Sequence, residues 1–220
     1  VKGIGATAMQ EILEMRPYKS LMDMFYNDEG AWKHSKMNKT CLASLCKIEA
    51  LKSLEEFESG MVHSHRQLLE SLVFEKNYDK LRKGRYGLTK TQLKKLEKQG
   101  EEPEIYLHKI LEDFSDVEDW SRVEKVELSY DLTSTVDSDL LFPTNLMSRL
   151  KEKDVQSVHE VPQGGKGIGW FIIVDVIKKK TKNGKDFYRL RVTDSNHKTA
   201  WLRVWGRLEN EIEKYTLWMA

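Results

Sequence analysis

The chain has 220 residues with a formal net charge of +1, and 40% of its residues are hydrophobic while 32% are charged. This composition is typical of a globular protein with one large domain or two smaller ones. No apolar run approaches the ~20 residues that a membrane-spanning helix needs, and nothing resembles a signal peptide, so we expect a cytoplasmic protein without a membrane partner. The two cysteines, Cys41 and Cys46, are too few for a disulfide framework and are expected to pack as reduced thiols.

The near-neutral total charge hides two segments of opposite charge. Residues 166–207 hold 11 lysines and arginines against 3 aspartates, whereas residues 101–139 hold 13 acidic residues against 3 basic ones. Local fields of this kind steer charged ligands even when the net charge is small. A nucleic-acid partner is therefore compatible with the composition.

Helices are predicted for most of the first 160 residues. Asn38 is a good N-cap, and apolar residues recur at helical spacing on both sides of it. The predicted helices cover residues 6–16, 20–26 and 39–48, a segment that opens at 53–55 and runs through 68–72, and residues 88–96. Residues 106–160 alternate weakly between helix and loop. We expect an acidic, mostly helical middle of the chain.

Residues 161–165 are predicted to form a linker, and after them the spacing of the apolar residues is typical of strands. Strands are predicted at residues 170–177, 187–192 and 200–205, with a hairpin turn at Asn183-Gly184, a second turn at 194–196 and a helix at 208–217. The expected core residues of these strands are Trp170, Leu190, Val192, Leu202 and Val204. Three antiparallel strands followed by a helix match the first part of a five-stranded OB barrel, two strands of which would lie beyond Ala220.

Positive charge gathers at the tip of this hairpin, and aromatic and cationic residues follow on its strands. Side-chain alternation predicts an aliphatic side and an aromatic-cationic side, the latter with Phe187, Arg189, Arg191, Trp201, Arg203 and Trp205. Rings that stack on bases beside cations that contact phosphates suit single-stranded nucleic acid, although strand aromatics can also be plain core. The predicted single-strand-binding residues are Lys178, Lys179, Lys180, Lys182, Lys185, Phe187, Arg189, Arg191, Trp201 and Arg203.

A glycine-rich turn opens the chain and leads into the first predicted helix. Two glycines in a pattern of apolar-x-Gly-apolar-Gly allow a tight turn whose N–H groups face outward, where a phosphate could sit at the helix N-terminus. This is the form of half a helix-hairpin-helix, and the alternative is an ordinary glycine turn. The predicted contacts to a duplex backbone are Lys2, Gly3, Ile4, Gly5 and Thr7.

Other motifs favour unremarkable interpretations. Residues 164–169 repeat the Gly-Ile-Gly pattern but precede a strand, so they lack the context of a phosphate loop. His63, His65 and the cysteines do not form a zinc ligand set, and both histidines are expected on a solvated helix face. The acids Glu112, Asp113, Asp116, Glu118 and Asp119 are dense along a polar stretch, which favours a solvated face over a two-metal site. No nucleophile arrangement is visible, so we predict no catalytic residue and no cofactor.

The two ends of the chain together resemble the C-terminal accessory region of the alpha subunit of bacterial or phage replicative DNA polymerase III, a C-family polymerase. Residues 1–16, 18–25, 37–40 and 42–51 are similar to its tandem helix-hairpin-helix, and residues 180–204 to its OB domain. The resemblance covers about half of the chain, in the family's order. It implies an α+β multidomain fold: a helix-hairpin-helix module at 1–60, a connector at 61–163 and a truncated OB domain at 164–220.

Departures from the family pattern qualify these expectations. Glu49 stands where the family has glycine, which argues against phosphate binding by the second hairpin, and residues 74–160 match poorly, as in a phage or otherwise remote relative. The family also carries a peptide that binds the sliding clamp, for which residues 138–142 and 67–69 are candidates; the alternative is an ordinary amphipathic segment.

The resemblance implies a fragment of a longer protein. Its parent would be a DNA-directed DNA polymerase that uses magnesium, with its active site upstream, and its partners would be duplex and single-stranded DNA and replisome subunits. The expected function is that of a non-catalytic DNA-binding portion that grips duplex backbone and template strand. The alternative is a protein-interaction adaptor whose OB-like barrel binds an acidic peptide.

Overall fold

The computed structural model describes residues 1–73, 76–135, 138–162, 166–205 and 212–219. Within these ranges the chain is an α+β protein with eleven helices and one mixed five-stranded sheet. It divides into two compact units: unit 1 comprises Val1–Ser121 and Leu128–Ser134, and unit 2 comprises Arg122–Glu127 and Thr135–Ala220. No helix in the described ranges has both the length and the apolar character needed to cross a membrane.

The helices occupy most of the chain before the sheet. They are α1 (Ala6–Glu14), α2 (Leu21–Phe25), α3 (Lys39–Lys47), α4 (Glu55–Glu58), α5 (His65–Leu72), α6 (Asn77–Leu81), α7 (Lys90–Gln99), α8 (Glu104–Glu112), α9 (Arg122–Thr133), α10 (Ser138–Leu141) and α11 (Thr144–Glu152). The first three predicted helices are confirmed to within two residues at each end, and the Asn38 side chain accepts a hydrogen bond from the Cys41 N–H at 2.8 Å, as its N-cap role requires.

The prediction of one helix from residue 53 to residue 72 is wrong. Gly60 lies in the left-handed region at φ 77° and ends α4, and Ser64 then caps α5 by accepting a hydrogen bond from the Gln67 N–H. Both residues break the backbone ladder, because a left-handed residue ends a helix and an N-cap must be extended. Apolar periodicity alone does not detect such a break.

One buried cluster joins all of unit 1 from Ile4 to Leu111. Leu21, Phe25, Leu42 and Leu68 are fully or almost fully buried in it, so residues 61–111 share a core with residues 1–60. The two compact units thus cut across the three segments expected from the sequence. Cys41 and Cys46 are buried as free thiols in this cluster, in agreement with their predicted packing role.

The sheet of unit 2 is built around one long strand. Its strands are β1 (Gln156–Ser157), β2 (Gly169–Lys180), β3 (Asp186–Thr193), β4 (Thr199–Trp205) and β5 (Leu217–Met219). β2 pairs in parallel with β1 and antiparallel with β3 and β5, and β4 extends the sheet beyond β3. The three predicted strands and their hairpin are confirmed.

Two elements of the sheet differ from prediction. β1 precedes the expected domain start at residue 164, and residues 212–216 form no helix while Leu217–Met219 form β5. Leu217 packs against one buried cluster and Trp218 against another, which is the alternation of a strand between two layers. The rest of the predicted helix, residues 208–211, and the linker residues 163–165 lie outside the described residues.

A half-buried carboxylate ties α1 to the segment before α3. Glu11 accepts hydrogen bonds from the N–H groups of Ser35, Lys36 and Met37 and from the Ser35 hydroxyl, at 2.8 to 3.3 Å. Burial would raise the pKa of Glu11, but these hydrogen bonds outweigh it and lower the pKa to about 2. The ionised form therefore stabilises the fold.

We predict that Glu11→Gln removes this stabilisation. Because the folded-state pKa is depressed, the contribution is present above the ordinary pKa of 4.5 and is lost as the pH falls toward about 2. Loss of charged hydrogen bonds should lower the free energy of unfolding at neutral pH by about 1.5–3 kcal/mol and flatten its dependence on acid pH. Urea unfolding from pH 7 to pH 2 measures this, with Glu14→Gln in the same helix as the control; equal curves for both variants would contradict it.

Candidate nucleic-acid interface

Side chains on β3 and β4 alternate between a buried and an open side of the sheet. Leu190 and Val192 are buried in a cluster that Leu202 and Val204 flank. Directly opposed pairs form the other side, which we name the cationic–aromatic face: Phe187 with Trp205, Arg189 with Arg203, and Arg191 with Trp201. Its residues are exposed or half-buried. The predicted sorting of aliphatic from aromatic and cationic side chains is confirmed.

The tryptophans of this face remain open while their neighbours hold them in place. The rings of Phe187 and Trp205 stack with centroids 4.9 Å apart and planes inclined by 26°. The Arg189 guanidinium lies 4.2 Å from the centroid of the Trp201 ring. Trp201 is nevertheless 44% exposed and Trp205 57% exposed. Each ring is therefore fixed by one contact and keeps surface on which a planar ligand can stack.

β2 adds to the same face through its register with β3. Lys179 lies opposite Phe187, Ile177 opposite Arg189 and Asp175 opposite Arg191. The Lys214 ammonium bonds to Asp175 at 2.8 Å, and this hydrogen bond lowers the pKa of the Asp175 carboxyl. The one carboxylate that the described strands place on the face is thus neutralised, and the face keeps a positive potential.

A helical layer closes one end of this side of the sheet. Trp170 and Ile172 of β2 are buried against Val126, Leu150 and Tyr215. Ile172 pairs with Thr193, which lies two residues beyond Arg191 and so on the same side as the cationic–aromatic face. This side of the sheet is therefore packed at the start of β2 and open along the second half of β2, beside the cations and tryptophans of β3 and β4.

The hairpin lysines do not act as one group. Lys178 and Lys180 lie on the opposite side of β2 from Lys179, and their ammonium groups are 3.7 and 3.8 Å from the Asp186 carboxylate. Lys182 and Lys185 are exposed in the turn, where Gly184 takes φ 77°. Of the predicted lysines, Lys179 belongs to the face, two are partly neutralised, and two extend the charge at the tip.

The N-terminal hairpin is held tightly by its own unit. Gly3 adopts φ 85°, and a Cβ there would come within 2.5 Å of Ser44 Oγ, whose hydroxyl donates to the Lys2 carbonyl at 3.0 Å. Gly5 is the N-cap of α1 and offers no side-chain cap, and the first turn has no acidic residue. The helix end can therefore accept an anion.

The Ile4 side chain faces the core, so only its backbone could contact a phosphate. Its side chain is 8% exposed and belongs to the core of unit 1, since an apolar residue between two turn glycines anchors the hairpin inward. The other predicted contact residues are exposed and remain candidates: Lys2, Gly3, Gly5 and Thr7. At the second hairpin the Glu49 backbone takes φ 55°, in the left-handed region that suits glycine. The Glu49 carboxylate lies 2.7 Å from the Lys52 ammonium.

Several rejected or secondary motifs can now be located. His65 is buried, accepts a hydrogen bond from the Leu51 N–H and packs on Phe57, so its predicted place on a solvated face is wrong. His63 is exposed, as predicted, and so are the five acids from Glu112 to Asp119. Within the described ranges no three His, Cys, Asp or Glu residues are grouped to hold a metal.

The apolar side chains of both candidate clamp-binding peptides are largely buried. Gln67, Leu68 and Leu69 lie in the core of unit 1, where the Gln67 amide donates to the carbonyls of Met61 and Leu111. Leu141 and Phe142 of the second candidate are each 8% exposed. In this fold neither segment presents its apolar anchors to a partner.

No protein-family model, no curated protein and no solved structure matches this chain.

We predict that the cationic–aromatic face contributes little to stability although it is rich in aromatic residues. Trp205→Ala removes one stacked pair and should lower the free energy of unfolding by about 0.5–1.5 kcal/mol. Leu190→Ala, on the buried side of the same strand pair, should cost about 2–5 kcal/mol. Urea unfolding at neutral pH measures both. Equal losses would show that the tryptophan is a core residue and not an open platform.

Proposed function

We propose that unit 2 binds single-stranded nucleic acid through the cationic–aromatic face. The observation that carries this proposal is the combination of two open tryptophans with Arg189, Arg191 and Arg203 on one side of β3 and β4, while Leu190 and Val192 are buried on the other side. Monomeric proteins rarely expose large apolar rings together without a ligand that covers them. Arginine beside tryptophan suits a ligand that is both flat and anionic.

The arrangement suggests how a strand is bound. Trp201 and Trp205 are four residues apart on β4, which corresponds to roughly 13 Å along a strand. They can stack on two bases that are not adjacent, with Arg203 between them positioned for a phosphate. Lys179 and the exposed Lys182 and Lys185 extend the charge past the Phe187–Trp205 stack. None of these contacts reads a base edge, so affinity should be independent of sequence.

An OB barrel is the fold that we propose for this sheet. In OB domains the second and third strands and the loop between the first two strands bind oligonucleotides. β3, β4 and the lysine hairpin hold these positions if β2 is the first strand. The pairing of β2 with β5 supports this proposal, because the first strand of a closing barrel gains a partner on its second edge.

For unit 1 we propose contact with duplex backbone at the N-terminal hairpin. Lys2, Gly5 and Thr7 are exposed around the start of α1, with no acidic residue in its first turn. Together with the ordered resemblance of both chain ends, this supports a non-catalytic DNA-binding portion of a C-family polymerase alpha subunit. Magnesium and nucleotidyl transfer would belong to the parent polymerase.

Binding of fluorescent oligothymidine by the full chain, followed by anisotropy, tests the proposal. The logarithm of the association constant should fall linearly with the logarithm of salt concentration, by about 0.7 for each phosphate contacted. Trp201→Ala should weaken binding by at least about fivefold, in line with the ~1–3 kcal/mol of a base stack. Arg203→Glu should weaken it and reduce the salt slope.

Matched controls are available for both variants. Tyr130 is 48% exposed outside the face, so Tyr130→Ala should leave binding within twofold of the unsubstituted chain, about the noise of such assays for a distant surface change. Arg149→Glu, at an exposed position of α11, repeats the charge reversal elsewhere in unit 2. Salt-independent binding, or equal losses in test and control variants, would reject the proposal.

Charge reversals on the two sides of β2 should differ in their effect on oligothymidine binding. Lys179→Glu should weaken oligothymidine binding by several-fold, because Lys179 shares the face with Phe187 and Arg189. Lys178→Glu should weaken it less, because Lys178 points to the opposite side and already contacts Asp186 at 3.7 Å. Both changes reverse one charge in the same strand. The same anisotropy titration measures them, and an equal effect would mean that only overall charge matters.

An acidic peptide is the second candidate ligand. The exposed acids of residues 112–119 show that the chain itself carries such a sequence. A synthetic peptide of that segment can be titrated against the complex with oligothymidine. The adaptor function is favoured over strand binding if the peptide displaces the fluorescent oligothymidine at lower concentrations than an unlabelled oligothymidine of equal charge does. Trp201→Ala should then leave displacement by the peptide unchanged.

A further inference from the structure

A second positively charged region lies in unit 1, in the part of the chain for which the sequence predicted no ligand. A cavity of about 490 Å³ opens between the turn at residues 83–88, α7 and α8. Its lining includes the cations Lys80, Lys83, Arg85 and Lys90 and no carboxylate. Among the described residues, no acidic side chain forms an ion pair with these four cations. The lining of the cavity therefore carries a net positive charge.

The turn that carries two of these cations, Lys83 and Arg85, has a constrained backbone. Gly84, Tyr86 and Gly87 all adopt left-handed backbone with φ of 65°, 53° and 72°. A Cβ at Gly84 would collide with the Leu88 carbonyl, and the Tyr86 N–H donates to the Gly30 carbonyl at 2.7 Å. A non-glycine residue held in this region costs free energy, and such residues cluster at ligand-binding sites.

The arginine of the turn is held as well. Arg85 Nε donates to the Glu29 carbonyl at 2.6 Å, and a β-bridge joins Arg85 to Leu88. The Arg85 guanidinium is therefore held in place before a ligand binds, which reduces the entropy lost on binding.

The inner wall of the cavity is apolar. Leu88 is 2% exposed, and Leu93 and Tyr106 are half-buried beside it. At the start of α7 the Thr89–Gln92 capping box satisfies the N–H groups of Thr89 and Gln92. The cations of the lining attract an anion, and an apolar, flat group on the same ligand would contact the wall. The volume falls within the range of small-ligand sites.

We propose that this cavity binds a nucleoside phosphate. The phosphate lies among Lys83, Arg85 and Lys90, and the base lies against Tyr106 and Leu93. The ligand is either a free nucleotide or one nucleotide of a bound strand. Only the second form rests on the proposed function, and it would give unit 1 a contact to nucleic acid in addition to its N-terminal hairpin.

Titration of the full chain with adenosine 5′-monophosphate, adenosine and inorganic phosphate, followed by calorimetry, tests the proposal. The nucleotide should bind about tenfold more tightly than adenosine or phosphate alone, because only it uses both the cations and the apolar wall. Lys90→Glu should weaken nucleotide binding about tenfold. Lys90 is the first residue of α7, where an acidic residue favours the helix, so the variant should fold.

Lys94→Glu is the matched control, because Lys94 is exposed on α7 and does not line the cavity. It should change the affinity by less than about twofold. Equal losses from Lys90→Glu and Lys94→Glu would overturn the proposal, and so would equal binding of adenosine and the nucleotide, or of phosphate and the nucleotide.

Oligothymidine binding in a Trp201→Ala background separates the two sources of nucleotide. If the free nucleotide does not bind, a several-fold loss of strand binding with Lys90→Glu but not with Lys94→Glu still supports a site for an in-strand nucleotide. If Lys90→Glu weakens neither nucleotide binding nor strand binding, the site is rejected. Because Trp201→Ala should leave nucleotide binding unchanged, failure of the sheet-face proposal and failure of this one are distinguishable.

Discussion

The antiparallel register between β3 and β4 is the constraint on which the candidate interface depends. Leu190 opposite Leu202 and Val192 opposite Ala200 place aliphatic pairs on the buried side, and the alternate pairs then face outward by necessity. A slip of one residue would bury the arginines and expose the leucines. The free energy of burying Leu190 and Val192 therefore also holds Arg203 and the two tryptophans in position. This positioning requires no contact with a ligand.

β2 shows how one strand serves two environments. From Trp170 to Ile173 every side chain is buried, because separate clusters cover both sides of the sheet. A register shift between Ile173 and Asp175 follows, and beyond it one side of the strand is open. β-Bulges commonly re-aim side chains in this way near binding sites. The packed half anchors the sheet, and the open half presents Lys179 beside the tryptophan face.

Much of the fold was predictable wherever a local rule applies without competition. Asn38 as an N-cap, the Asn183–Gly184 turn and the alternation on β3 all depend on residues that are neighbours in sequence. The failures involve distant partners. Gly60 and Ser64 divide a segment whose apolar residues have a continuous helical spacing. Leu217 belongs to a strand because it pairs with Ile172, which lies 45 positions earlier in the chain.

For the candidate site, the sequence by itself determined which residue types share a side of each strand, since the period of two is a property of the extended backbone. Only the tertiary structure decided which side is open, because that depends on where the helical layer stops. It also decided that Asp186 partly neutralises Lys178 and Lys180, that Ile4 faces the core, and that four cations line a cavity beside α7. These outcomes depend on contacts between residues remote in sequence, which no local pattern encodes.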